Sequence, residues 1–412
     1  MAVQTTESAL TGVLAEPAKP SIGTGTVDKV LHAVRTHLGM DVAFVSEFRD
    51  VDRVFRHVDA LASTPIHPGD AAPLEVGYCQ RVVDGRLPEF IPDTAEEPRA
   101  LALPETQAIP IGSHLSVPIR LADGSVYGTF CCFSFFADRS LSQRDLQMMR
   151  AFADLLADQI DRDLEQARTH DDKKKRIVEA LASDDPGIVY QPIYNLQTQQ
   201  IVGAECLSRF RSEPPRSPDK WFAEASLVRL RTELELRAIA KGLESLSVLP
   251  APLYLAVNAS PETIADPGLK LLLAKVDASR VVLEITEHDD VEDYQGFLDH
   301  LAPLRALGVR VAIDDAGAGY ASMRHILNVQ PDLIKLDMSL TGNIDSDPKR
   351  RALASALIAF ARETYATIVA EGVETPAELA TLRSLGATRG QGYLLGRPTD
   401  ISQLVRLCAA GS

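Results

Sequence analysis

An α/β barrel preceded by a smaller α+β module is the architecture this sequence of 412 residues calls for. From Gly187 onward, strand, loop and helix patterns alternate to the end, the rhythm of a doubly wound sheet or an eightfold barrel. Each candidate strand there also delivers a polar group. That favours the barrel, because a barrel converges its C-terminal strand ends on one mouth whereas an open sheet strings them along an edge. Ahead of residue 161, a helix, several strand runs with tight turns and a long closing helix read as a module with a central antiparallel sheet.

The elements follow in order. Residues 1–25 lack the basic start and apolar core of a secretory signal and read as a disordered tail. From Thr26, VDKVLHAVRTHLG sets Val27, Val30, Leu31, Val34 and Leu38 on one helical face. DVAFVSEF and RVFRHVDA read as strands, and SHLSVPIRLADGSVYGTFCCFSFF as two more turning at Asp123-Gly124. Ser142 and Asp145 form a capping box, after which Leu146, Met149, Ala153, Leu156 and Ile160 mark a helix over about residues 142–182. That stripe suits either a dimeric coiled coil or packing on the module's own sheet. The expected divisions are therefore a first module at 26–161, a helical linker at 162–182 and the barrel at 183–412. Within the last, QQIVGAECLSRF, LYLAVNAS, VVLEITE, VRVAIDDA, DLIKLD, TIVAEGVE and ATRGQGYLL are the candidate strands, with helical runs such as WFAEASLVRLRTELELRAIAKGLESL between most of them.

Composition excludes several classes. With 57 acidic against 42 basic residues, the net charge of −15 argues against coating DNA or an acidic membrane by bulk electrostatics. No run of about 18 apolar residues is present, so no membrane insertion is expected. The five cysteines (Cys79, Cys131, Cys132, Cys206, Cys408) have no CxxC spacing and fit a reducing cytoplasm. Cys79 is a thiol-sensor or tetrapyrrole-attachment candidate, with a buried core thiol the stronger reading. The Cys131-Cys132 pair lies on a strand, where alternation puts one of the two in the core. None of the nine histidines has ligand-like spacing.

The chemistry sits at the barrel's strand ends: Glu205, Asn258, Glu284, adjacent Asp314 and Asp315, Lys335, Glu371 and Gln391. Any one such acid is more often a helix cap or surface partner. Together, in apolar strand sequence, unpaired carboxylates would be costly, and several brought to one place repel unless cations join them. An oxygen-rich set with one amide selects Mg²⁺ or Mn²⁺ over zinc. Adjacent Asp314 and Asp315 can serve two ions, the standard device for phosphodiester hydrolysis, with Lys335 orienting the attacking water. An enolase-like or aldolase-like site is the other barrel reading, with no need for so many carboxylates.

YQPIYN, ECLSR, VNAS, LEITE, IDDAGAGYAS, PDLIKLD, VAEGVET and GQGYLLGRP, in that order over Gly187 to Arg406, resemble the EAL-domain cyclic-di-GMP phosphodiesterases. The resemblance implies a modified TIM barrel, two Mg²⁺ or Mn²⁺ ions per domain, and hydrolysis of cyclic di-GMP to linear pGpG. By position it makes Glu205, Asn258, Glu284, Asp314, Asp315 and Glu371 metal ligands. It places Lys335 on the nucleophilic water and has Gln391 complete the site. It implies substrate contacts from Gln191, Leu207 and Arg209, and makes Glu287 the anchor of the loop after Asp315. Three departures stand out: DDAGAGYAS, with Ala316, Ala318 and Ala321 where the family has Phe, Thr and Ser; Cys206 for the Ala of EAL; and Met338 after IKLD. The first module resembles a GAF sensory domain in its architecture, which implies an unidentified small-molecule ligand that modulates the barrel, in a homodimer. A catalytically weak or inactive cyclic-di-GMP receptor is the alternative function.

Overall fold

The computed structural model describes residues 24–61, 64–285, 291, 293–317 and 320–410. They divide into two compact units, with the boundary in the chain between Thr169 and His170. In the first, strands β1 (Val42–Arg49), β2 (Asp52–Ala60), β3 (Ala71–Pro73), β4 (Phe90–Ile91), β5 (Ser113–Arg120) and β6 (Val126–Ser134) form one sheet in the order β3-β2-β1-β6-β5-β4. All neighbours are antiparallel. The hairpin between β5 and β6 turns where it was expected, because Gly124 takes φ +84° and Asp123 Oδ1 accepts the Ser125 amide at 2.9 Å.

This sheet is covered on both faces. The helix Thr24–Leu38 and the first half of the helix Gln143–Ala182 bury Leu31, Val34, Met149 and Leu156 against Leu115, Val117, Phe130 and Cys132. The opposite face packs Phe44, Phe55, Cys131 and Phe133 beneath the helix Tyr78–Val83. Cys131 and Cys132 do alternate across β6, yet both are fully buried. The expectation of one core cysteine is thus corrected: a sheet with a core on each side has no solvent face. At the start of the long helix, the Asp145 carboxylate accepts from both the amide and the hydroxyl of Ser142 at 2.8 Å.

His114, on β5, is buried with its ring 4.3 Å from that of Tyr78. Burial, with the Arg53 guanidinium adding, pushes its pKa down to about 3. The unfolded chain binds a proton here near pH 6.5 and the folded one does not, so stability is lost as pH falls through that value toward 3. Between pH 6.5 and 5 this group alone removes about 2 kcal/mol. Hydrogen exchange of the β5 and β6 amides at the two pH values is expected to show that loss, and His114→Gln to flatten it. An equal loss in both proteins refutes the assignment.

The second unit is a closed barrel of β7 (Gly187–Asn195), β8 (Ile201–Arg209), β9 (Tyr254–Asn258), β10 (Val281–Ile285), β11 (Arg310–Ala316), β12 (Leu333–Leu336), β13 (Thr367–Ala370) and β14 (Arg389–Gly390). Strands β8 to β14 run parallel, whereas β7 is antiparallel to both of its neighbours, β8 and β14. Strand β7 was not among the candidates, since Pro192 interrupts its apolar pattern and proline argues against a paired strand. The single helical run expected over WFAEASLVRLRTELELRAIAKGLESL divides into Pro218–Leu227 and Arg231–Glu244, with Arg229 at φ +58° in the break. ATRGQGYLL contributes only the two residues of β14.

Alternation along the strands builds two concentric layers. Leu255, Val257, Leu283, Ile285, Val311, Ile313, Ile334 and Leu336 face outward into the core shared with the helices. Ile193, Tyr254, Ala256, Val282, Ala312, Leu333 and Val369 fill the lumen. Two residues beyond the last five of these, at the C-terminal ends, come Asn258, Glu284, Asp314, Lys335 and Glu371. No described helix is long and apolar enough to cross a membrane.

Candidate active site

Lys335 is the hub of this mouth. Its Nζ lies 2.9 Å from Glu371 Oε1, 3.1 Å from Glu284 Oε2, 3.1 Å from Asp314 Oδ1 and 3.5 Å from Glu205 Oε2. Gln391 donates from Nε2 to Glu205 Oε2 and Glu371 Oε1, both at 2.7 Å. All of these residues but Glu371 are buried, and Glu371 is mostly so. One ammonium faces four carboxylates, which leaves three negative charges uncompensated if all ionise. At about 4 Å and an effective dielectric of about 20, each like-charge pair costs about 4 kcal/mol. Burial pushes the Glu284 carboxyl well above the usual range, and Glu205, Asp314 and Glu371 add to this against the pull of Lys335. Burial raises Glu371 in the same way, with Asp314 and Glu205 contributing. Burial works against the Lys335 ammonium, but the carboxylates outweigh it and hold its pKa well above the ordinary lysine value.

Adjacent aspartates both reach the site because of a bulge. Ala312 and Ile313 pair with Leu333 and Ile334, but Ala316 pairs with Leu336, so Asp314 and Asp315 together oppose Lys335. Asp315 takes φ +56°, a left-handed conformation that aspartate tolerates better than most residues, and its amide donates to Asp314 Oδ1 at 3.0 Å. Carboxylate oxygens of Glu205, Glu284 and Asp314 lie within 4.8 Å of one another, and so do those of Asp314, Asp315 and Glu371. Asp314 belongs to both triads. Among the described residues, Glu284 Oε2 meets only the Lys335 ammonium, as an ion pair, and the buried Gln391 Oε1 has no hydrogen-bond partner. An excess of hard oxygen donors, unmatched charge and one orphaned amide oxygen fit a divalent metal ion.

The other expected residues are placed less centrally. Asn258 ends β9, exposed, in register with Glu284 on β10. Gln191 pairs with Glu205 across β7 and β8 and donates from Nε2 to the Gly396 carbonyl at 3.3 Å. Leu207 and the exposed Arg209 continue the Glu205 face of β8 past the cluster. Met338 is exposed at the start of the short helix Met338–Thr341. Glu287 and Ala318 lie outside the described residues, and of Ala321 only the backbone is described. Supports that sequence reasoning missed are Thr341, whose hydroxyl donates to the Glu371 carbonyl, and Val373, whose amide donates to Gln391 O at 3.1 Å. Gly392 permits that contact, since a Cβ there would sit 2.2 Å from Val373 N and O. The GQG run was the signal for it.

A closed barrel with a buried, lysine-centred carboxylate site at its C-terminal mouth defines an α/β-barrel protein equipped for divalent metal ions. The EAL domain model matches residues 174–398, and the chain belongs to that family. Residues 24–161 match the GAF domain model. A signaling protein of Caulobacter vibrioides is 32% identical over 244 residues, covering 57% of this chain and 30% of its own. A cyclic di-GMP phosphodiesterase of Pseudomonas aeruginosa is 32% identical over 228 residues, covering 53% of this chain and 39% of its own. This chain thus spans about a third of the length of these relatives. The structure of PaMucR phosphodiesterase in complex with c-di-GMP superposes with a TM-score of 0.52 at 28% identity, covering 57% of this chain and 99% of that one.

Proposed function

We propose that the protein is a metal-dependent phosphodiesterase that opens cyclic di-GMP to linear pGpG. The observation that carries this reading is the pair of carboxylate triads sharing Asp314 around one buried lysine. Two Mg²⁺ or Mn²⁺ ions would be held by Glu205, Asn258, Glu284, Asp314, Asp315 and Glu371. When bound, they supply Lewis acidity toward the phosphoryl oxygens and toward water. The chain's own residues do the rest. Lys335 would donate from Nζ to the attacking water and orient it. Gln391 fixes the carboxylate planes of Glu205 and Glu371. Gln191 and Leu207 contact the substrate in this reading.

Arg209 is the phosphate contact in this reading. Its fork suits phosphate oxygens, and a charge-assisted bond of this kind is worth about 1.5–3 kcal/mol. Arg209→Ala is expected to raise KM by about 10-fold or more with a smaller change in kcat. A kcat loss without a KM change would move Arg209 out of the substrate site.

The reading extends to a cytoplasmic homodimer in which the GAF domain modulates the barrel through the helix Gln143–Ala182. That helix carries exposed Leu155 and Val178 on a mostly polar surface. Sedimentation at two concentrations tests the dimer. The deciding assay is incubation with cyclic di-GMP and Mg²⁺ or Mn²⁺, resolving nucleotides by chromatography, beside a binding assay in Ca²⁺. Appearance of pGpG supports the enzyme, binding without product supports a receptor, and neither refutes both.

A further inference from the structure

The buried polar groups of the GAF domain converge on two thiols. Cys79, on the helix Tyr78–Val83, and Cys131, in the middle of β6, are both fully buried with their sulfurs 3.8 Å apart. Arg53, on β2, donates from Nη1 to Cys79 Sγ at 3.0 Å and from Nη2 to Glu105. Three hydroxyls complete the nest: Ser116 and Thr129 each lie 3.1 Å from Cys131 Sγ, and Ser46 lies 2.9 Å from Thr129. A fully apolar setting would suit two packing thiols. Instead a buried guanidinium is aimed at one sulfur, and three hydroxyls surround the pair.

We propose that Cys79 and Cys131 form a reversible disulfide, with Cys79 attacking a hydroperoxide and Cys131 resolving the product. The hydrogen bond from the Cys131 thiol and the charge of Arg53 favour the Cys79 thiolate over the burial that opposes it. Burial holds Cys131 protonated, the state a resolving thiol needs until it attacks. Access runs past Arg53. With Glu105 it lines an open cavity of about 400 Å³ that Phe55, Ile66 and Ile109 also border. The same two side chains border an inner void of about 10 Å³, room for one water, beside Tyr78 and His114. Cys79 therefore lies one side chain below a cavity floor.

The step balances. Cys79 sulfur attacks the outer peroxide oxygen, the O–O bond breaks, and the departing alkoxide or hydroxide takes a proton to leave as alcohol or water. Cys79 is now a sulfenic acid. Cys131 sulfur then attacks Cys79 sulfur, the S–O bond breaks, and the hydroxyl leaves as water with the Cys131 proton. Two thiol sulfurs lose two electrons in all, and the peroxide takes them. Closure to a bonded distance of about 2.05 Å needs a sulfur movement of under 2 Å. The product also removes the anion that Arg53 Nη1 faces, which leaves Glu105 as the carboxylate partner of its guanidinium.

The test uses the full chain, reduced and then treated with hydrogen peroxide, with alkylation and peptide mapping over time. The expected result is a linked peptide pair containing Cys79 and Cys131, reversed by a dithiol reductant. Its formation should be on the order of tenfold or more faster than oxidation of Cys206 or Cys408, as thiolate fraction dictates. Cys131→Ser should instead accumulate a Cys79 sulfenic acid trapped by dimedone, and Cys79→Ser should form neither species. Wild-type mapping needs no variant to fold. Unlinked Cys79 after all other thiols have oxidised, or equal rates at Cys79 and Cys408, overturns the proposal.

Discussion

Lys335→Met is expected to lower cyclic di-GMP turnover by about 1,000-fold or more and to destabilise the metal-free barrel as well. The catalytic loss follows from Nζ, which in the proposed mechanism holds the attacking water; general acid–base and electrostatic groups of this kind contribute about 100- to 10,000-fold. The stability loss follows from the four carboxylates within 3.5 Å of that nitrogen. Removing one partner of a buried ion cluster costs about 3–5 kcal/mol, because the remaining charges stay buried without compensation. The single tryptophan, Trp221, reports on this unit, since it is buried and stacked at 4.9 Å on Phe210. Its fluorescence in a urea titration should show the midpoint falling for Lys335→Met without metal and recovering in part with Mg²⁺. A variant that keeps a tenth of wild-type turnover would remove Lys335 from the chemistry.

Much of this candidate site is legible in the sequence, and the reason is the barrel. A strand alternates with period two, so Val282 and Glu284, Ala312 and Asp314, or Leu333 and Lys335 announce one inward face in the letters alone. What sequence could not give was the third dimension of that face. Lys335 read as a partner for water, and its contact with four carboxylates contributed by four other segments of the chain was not legible. Asp314 and Asp315 should point to opposite sides of a regular strand, and only the bulge opposite Lys335 keeps both at the site. Strand β7 hid behind Pro192, which sits in its antiparallel pairing with β8. In the GAF domain, Arg53 shares a face of β2 with Phe55, whereas a register shift at Arg56 turns His57 to the other face, where it meets Asp28. The sulfur partner of Arg53 was invisible, because Cys79 and Arg53 meet through the tertiary packing of a helix on the sheet.

Glu205→Ala should abolish turnover as completely as Lys335→Met does while leaving the metal-free barrel nearly as stable as the wild type, and that contrast separates a ligand role from a structural one. In the proposed mechanism Glu205 is a metal ligand in the triad with Glu284 and Asp314, so its loss weakens metal binding directly. Calorimetric titration with Mn²⁺ should show affinity falling by at least about 10-fold to 100-fold, the scale on which even outer-shell partners act. Stability responds to two opposing changes. Gln391 Nε2 loses an acceptor at 2.7 Å, which costs about 1 kcal/mol. Against this, three carboxylates rather than four surround Lys335, and relief of like-charge repulsion is of comparable or larger size. The Trp221-detected unfolding free energy without metal is therefore expected within about 1 kcal/mol of wild type. Added Mn²⁺ should stabilise the wild type and do little for the variant, since only a form that binds the ion gains from it. Loss of turnover with metal affinity intact would reassign Glu205 from ligand to substrate contact. A collapse of stability equal to that of Lys335→Met would mean that the ion cluster holds the barrel together and that the catalytic effect is secondary.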